Sequence, residues 1–117
     1  MARRILVVED SVDSAETLAA LLEMWGHEVR MAHSGQEALE AARDYQPEVV
    51  LLDIGLPDMD GYTVAQKLRD QGLAGQLLVA LTGYSADQAR EHGGGVFDRH
   101  LTKPVMPDAL TALLGSG

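Results

Sequence analysis

The amino-acid sequence predicts an α/β domain with a parallel sheet doubly wound by helices on both faces. Three observations predict it: apolar runs of strand length recur along the chain, segments of helical period separate them, and turn residues mark the joins. A run that is apolar throughout, instead of alternating, is what a strand covered on both faces requires. At 117 residues the chain has the size of one domain with a real core, so residues 1–117 are expected to fold as one unit.

The first strand is expected at Ile5 to Val8. A helix follows, since Leu18, Leu21, Leu22 and Trp25 fall at i, i+3, i+4 and i+7, with Ser11 or Asp13 to cap its start and Gly26 to end it. Glu28 to Ala32 is a weaker strand. Ser34 and Glu37 have capping-box spacing, and Ala38, Leu39, Ala41 and Ala42 continue a second helix to near Tyr45, where Pro47 closes it. Val49 to Leu52 is the third strand, followed by a helix from about Tyr62 to Asp70. Leu77 to Leu81 is the fourth, followed by a helix from Ala86 to about Glu91 that must end at Gly93, Gly94 and Gly95. The fifth strand lies around His100 and Leu101, and the last helix opens with Pro107 as its first residue. The total is five βα units.

Composition narrows the function. Hydrophobic residues at 46% and charged residues at 23% are ordinary for a globular protein. With no cysteine there is no disulfide, thiolate nucleophile or cysteine metal cage, and a reducing cytoplasm is acceptable. Nine basic against eighteen acidic residues give a net charge of -9, the wrong sign for holding nucleic-acid phosphates. Met1 to Arg4 lead into neither a signal h-region nor a membrane span, so a cytoplasmic protein without membrane contact is expected.

The residues that carry chemistry sit directly after the apolar strands: Glu9 and Asp10 after the first, Asp53 after the third, Thr82 after the fourth and Lys103 after the fifth. The carboxyl ends of all strands of an open parallel sheet share one edge, where ligands bind at the point of strand-order reversal. Carboxylates ~4 Å apart repel by roughly 4 kcal/mol at an effective dielectric near 20. A divalent cation relieves this, and an all-oxygen donor set suits Mg²⁺ better than Zn²⁺. A carboxylate-held metal beside a lysine and a hydroxyl is equipment for phosphoryl transfer, with Asp53 as nucleophile and Lys103 and Thr82 on the phosphoryl oxygens. Each piece has a plainer use, as a helix cap, a turn or a solvated lysine. Four strand ends supplying one reaction outweigh those uses.

These residues also carry a family resemblance over roughly Arg4 to Leu114. The pair Glu9-Asp10, the stretch Leu51-Leu52-Asp53-Ile54-Gly55-Leu56-Pro57-Asp58-Met59-Asp60-Gly61, the Ala80-Leu81-Thr82-Gly83 turn and Lys103-Pro104 resemble the receiver domains of two-component response regulators. The segment Phe97 to Pro104 is similar to receiver modules of hybrid histidine kinases. The resemblance implies a flavodoxin-like (βα)₅ fold of strand order 2-1-3-4-5. It implies Asp53 as phosphoacceptor, Glu9 (through a water), Asp10, Asp53 and the Gly55 carbonyl as Mg²⁺ ligands, and a cis peptide at Pro104. It further implies Thr82 and His100 as switch residues, and a histidine kinase or histidine phosphotransfer protein as donor. Such a chain is not an enzyme beyond its own phosphorylation and dephosphorylation, and is a monomer or weak dimer. Small residues Ser14 and Ala15 near the start of the first helix would let the donor approach closely. Three departures stand out: His100 replaces the usual Tyr or Phe, Val96 and Phe97 replace small residues, and Tyr84 is bulky.

Rival functions fit less well. A Mg²⁺-dependent nucleotidyl-transfer site would want a second acid two residues past Asp53, where Gly55 stands. Flavin binding needs a hydroxyl-rich or glycine-rich loop after the first strand, where Glu9, Asp10 and Asp13 repel phosphate. A receiver-like module that works without phosphorylation would be favoured by loss of Asp53, Asp10 or Lys103, and all are present.

Overall fold

In the computed structural model, which describes residues 3–73, 77–82, 96–103 and 105–114, the apolar runs become five strands. They are β1 (Arg4–Val8), β2 (Glu28–Ala32), β3 (Val49–Asp53), β4 (Leu77–Thr82) and β5 (Arg99–Thr102). All pair in parallel in the order β2-β1-β3-β4-β5. The described helices are α1 (Val12–Met24), α2 (Gly35–Tyr45), α3 (Gly61–Asp70) and α4 (Pro107–Leu114). The helix expected over 86–91, the bulky Tyr84 and the peptide at Pro104 lie outside the described residues.

Side-chain alternation along each strand divides the core in two. Leu6, Val8, Val50, Leu52, Leu78 and Ala80 face α2 and α3, while Ile5, Val7, Leu51, Val79 and Leu81 face α1 and α4. This three-layer arrangement explains why β1, β3 and β4 are apolar at nearly every position.

Local signals set most helix ends. Ser11 caps α1 by accepting from the Ser14 N–H, and Ser34 caps α2 by accepting from the Glu37 N–H. The Glu37 carboxylate reaches one residue further back than a capping box requires, accepting from the His33 N–H at 2.8 Å. At the end of α1, Gly26 takes φ +90° while the Gly26 and His27 N–H groups donate to the Glu23 and Leu22 carbonyls, a Schellman closure.

One expectation about α1 is corrected. Trp25 is 38% exposed and Leu18 and Leu21 are only partly covered, whereas Ala15, Ala19 and Leu22 are buried. Alanines let the helix lie close to the sheet, so the stripe that makes contact is rotated from the one the large residues mark. Ala15, fully buried, is therefore core and not part of a surface open to a donor. No described helix is long and apolar enough to cross a membrane.

Candidate functional site

The strand order reverses at β1, so the chain leaves the carboxyl ends of β1 and β3 in opposite directions and opens a crevice between them. Glu9, directly after β1, is 4% exposed, and its N–H donates to the Ala32 carbonyl at 3.0 Å, extending the ladder. Asp53 ends β3 at 7% exposure and Thr82 ends β4 at 3%. Lys103 follows β5, and its N–H donates to the Thr82 carbonyl at 2.7 Å, holding the lysine beside the hydroxyl residue.

The side chains meet. Lys103 Nζ lies 2.9 Å from Glu9 Oε2 and 3.1 Å from Asp53 Oδ2. Carboxylate oxygens of Glu9, Asp10 and Asp53 all fall within 4.8 Å of one another, with Asp10 exposed at the mouth. The Gly55 N–H donates to Asp53 Oδ1 at 3.0 Å and so fixes the rotation of that carboxylate.

Glu9 and Asp53 share the Lys103 ammonium, and the electrostatics record the crowding. Burial, together with a hydrogen bond to Asp53 and its charge, pushes Glu9 up to about 7 against the opposing pull of Lys103. Burial would also raise Asp53, but its hydrogen bonds with Glu9, the Gly55 N–H and Lys103 override it and hold Asp53 below the usual carboxylate range. Burial disfavours the Lys103 charge, yet the two acids reverse this and raise its pKa. An oxygen-only donor set with excess negative charge fits a hard divalent cation.

The expected residues Glu9, Asp10, Asp53 and Lys103 are thus brought together, and Thr82 and Gly55 lie beside them. His100 lies on β5, half-buried, its ring edge-on to Phe97 with centroids 5.8 Å apart. Phe97 in turn packs edge-on against Tyr62 of α3 at 5.7 Å. Two residues at this edge have positions that the sequence did not suggest for them. His33 follows β2, and its Nδ1 lies 3.0 Å from the Glu9 carbonyl. Asp58 accepts from the Gly35 and Gln36 N–H groups at 2.7 and 3.0 Å, which hold its carboxyl below the usual range. The strand-end rule that selected the others applies equally to β2 and would have found His33; nothing local marks Asp58 as a link to α2. Beside the crevice runs an open groove of about 630 Å³, lined by Ser14, Thr17, Leu18, Leu21, Leu81 and Val105 among others.

The family model described as the response regulator receiver domain matches residues 5–115. The chain is 34% identical over 114 residues to the probable transcriptional regulator ycf27 of Cyanophora paradoxa, covering 97% of this chain and 47% of that one. It therefore spans about half the length of that relative. It is 32% identical over 108 residues to the polar-differentiation response regulator DivK of Brucella ovis, covering 90% and 87% respectively. Among solved structures, the chemotaxis protein CheY4 of Vibrio cholerae superposes with a TM-score of 0.89 at 27% identity, covering 97% of each chain.

Proposed function

We propose, given that this chain belongs to the response regulator receiver domain family, that Asp53 accepts a phosphoryl group from a phosphohistidine donor and that residues 1–117 act as one receiver domain. What carries this reading is the convergence of Asp53, the Glu9–Asp10 pair, Thr82 and Lys103 from four strand ends, with Lys103 Nζ within 3.1 Å of Asp53 Oδ2. The receiver domain is a component of two-component signalling.

In this reading an Asp53 oxygen forms the new P–O bond as the donor's P–N bond breaks and the imidazole leaves with the bonding pair. The ammonium of Lys103 pairs with one phosphoryl oxygen and the Thr82 hydroxyl donates to another. Glu9 (through a water), Asp10, Asp53 and the Gly55 carbonyl would hold Mg²⁺. Bound there, Mg²⁺ neutralises charge on the phosphoryl oxygens. Near-burial of Glu9 and Asp53 excludes bulk water and strengthens each of these interactions.

The donor is a histidine kinase or a histidine phosphotransfer protein, and the chain catalyses nothing beyond its own phosphorylation and dephosphorylation. Thr82 passes the change to His100, which stands on the adjoining strand in a row with Phe97 and Tyr62. The domain works in the cytoplasm as a monomer or weak dimer, without membrane or direct nucleic-acid contact. Incubation with Mg²⁺ and acetyl phosphate, followed by intact-mass measurement, is expected to give one base-labile phosphoryl addition. Asp53→Asn, nearly isosteric but not nucleophilic, is expected to abolish it and keep the fold. The same stoichiometry in that variant would move the acceptor elsewhere.

A further inference from the structure

We infer that the turn joining β2 to α2, residues 33–36, is a clamp that sets the spacing of the two acidic loops, with His33 and Asp58 as its positioning residues. The inference rests on the phosphoacceptor reading and names the residues that tune its metal affinity.

Both sides of the clamp are built from hydrogen bonds to backbone. On one side, Glu9 is held at its N–H by the Ala32 carbonyl and at its own carbonyl by His33 Nδ1, each at 3.0 Å. A carbonyl only accepts, so Nδ1 carries the proton. These two bonds fix the peptide units that present the Glu9 and Asp10 side chains. On the other side, the Asp58 carboxylate takes the Gly35 and Gln36 N–H groups at 2.7 and 3.0 Å, one on each oxygen. Gly35 is buried there, and a Cβ would run into the Met59 and Val64 side chains. The loop carrying Gly55 is thus both bonded to and packed against the turn.

The turn and the loop are themselves stiff. The Glu37 carboxylate takes the His33 N–H at 2.8 Å and Ser34 Oγ takes the Glu37 N–H at 3.2 Å. The Ile54 N–H donates to the Leu81 carbonyl at 3.1 Å, and the Gly61 N–H closes the loop onto the Ile54 carbonyl at 2.9 Å. Displacing the turn therefore moves the Glu9–Asp10 backbone relative to Asp53 and Gly55. Mg²⁺ demands near-octahedral geometry, so such play weakens binding even though neither His33 nor Asp58 touches the ion or the reacting atoms.

The test titrates MgCl₂ into the ¹⁵N-labelled full chain and follows backbone shifts at Asp10, Asp53 and Lys103 for wild type, Asp58→Ala, Asp58→Asn and His33→Ala. Melting temperature and the Mg²⁺ dependence of acetyl phosphate uptake are measured alongside. Asp58→Ala and His33→Ala are expected to weaken Mg²⁺ affinity by about 10-fold, the low end for residues that orient metal ligands. The half-saturating Mg²⁺ for uptake should rise by the same factor, with the saturating rate near wild type. Asp58→Asn keeps an acceptor for one of the two N–H groups but sets its amide NH₂ against the other, and should fall between Asp58→Ala and wild type in affinity. Folded alanine variants that melt lower but bind Mg²⁺ as wild type does would reduce the clamp to a helix cap and overturn it. If Asp58→Ala does not fold, His33→Ala decides in the same way. A wild-type chain that neither binds Mg²⁺ nor takes up phosphoryl would overturn the phosphoacceptor reading and the clamp together, whereas a defect confined to the variants leaves that reading standing.

Discussion

His27 and Glu9 are buried ionisable residues whose pKa shifts tilt stability in opposite directions. Burial, aided by the charge of Arg3, lowers His27, and its Nδ1 accepts from the Arg3 N–H at 3.2 Å, a bond that protonation of Nδ1 removes. The unfolded chain then binds the extra proton first. The His27 contribution is present above about pH 6.5, the ordinary histidine value, and is lost as pH falls below it toward the depressed folded value. Glu9, raised to about 7, holds its proton longer in the folded state. Its contribution is complete below the ordinary carboxyl range and is lost as pH rises toward 7. Between pH 5 and 6.5 the two slopes oppose, so chemical unfolding across this window should give a steeper fall of stability with rising pH in His27→Gln than in wild type. An unchanged slope would remove His27 from the balance. Gly61 supplies a second test at this scale. A Cβ there would strike the Ile54 Cα and come within 2.9 Å of the Asp53 carbonyl, both backbone that cannot swing aside. Gly61→Ala should cost about 1–3 kcal/mol by overpacking, read from the denaturant midpoint. It should also lower phosphoryl uptake, because the shifted backbone carries Asp53.

Helix α1 borders the crevice, so on the proposed phosphoacceptor function its exposed positions are where a donor protein would touch. Ser14 is exposed and lines the groove, whereas Ala15 one residue on is packed into the core. Ser14→Arg should therefore slow transfer from a cognate phosphohistidine donor and leave acetyl phosphate uptake unchanged. Equal loss with both donors would indicate damage to the site itself. Ala15→Arg cannot serve this purpose, since a guanidinium buried beside Val7 and Leu51 without a partner would unfold the domain before any docking was measured.

At the scale of the whole molecule, the acidic site works against the fold that holds it. Glu9, Asp10 and Asp53 cluster beside the Lys103 ammonium in a chain of net charge -9, so a cation that binds only the folded state should stabilise it by mass action. At one hundred times its dissociation constant, Mg²⁺ should add about 2.7 kcal/mol, a rise of about 10 °C in melting temperature. Sodium chloride at equal ionic strength screens the same charges without bridging them and should do less. A melting temperature that follows ionic strength alone would count against a specific Mg²⁺ site.

The strands, their parallel pairing and the residues at their carboxyl ends were legible in the order of amino acids alone, because a buried strand must be apolar on both faces and a polar residue directly after it has one edge to occupy. Ser34, Gly26 and Pro107 likewise announced helix ends, since capping and φ > 0 are local chemistry. The sharing of Lys103 between Glu9 and Asp53, and the rise of Glu9 to about 7 through burial and Asp53, came about only when β1, β3 and β5 brought Lys103 to within 3.1 Å of acids 50 and 94 positions away. The same holds for the bonds between Asp58 and the start of α2 and between His33 and Glu9: they join residues 23 and 24 positions apart, and no periodicity records a contact of that kind. Which face of α1 meets the sheet was also a tertiary decision. Close approach favours Ala15 and Ala19 over larger neighbours, and side-chain size read along one helix does not reveal how near the sheet will lie.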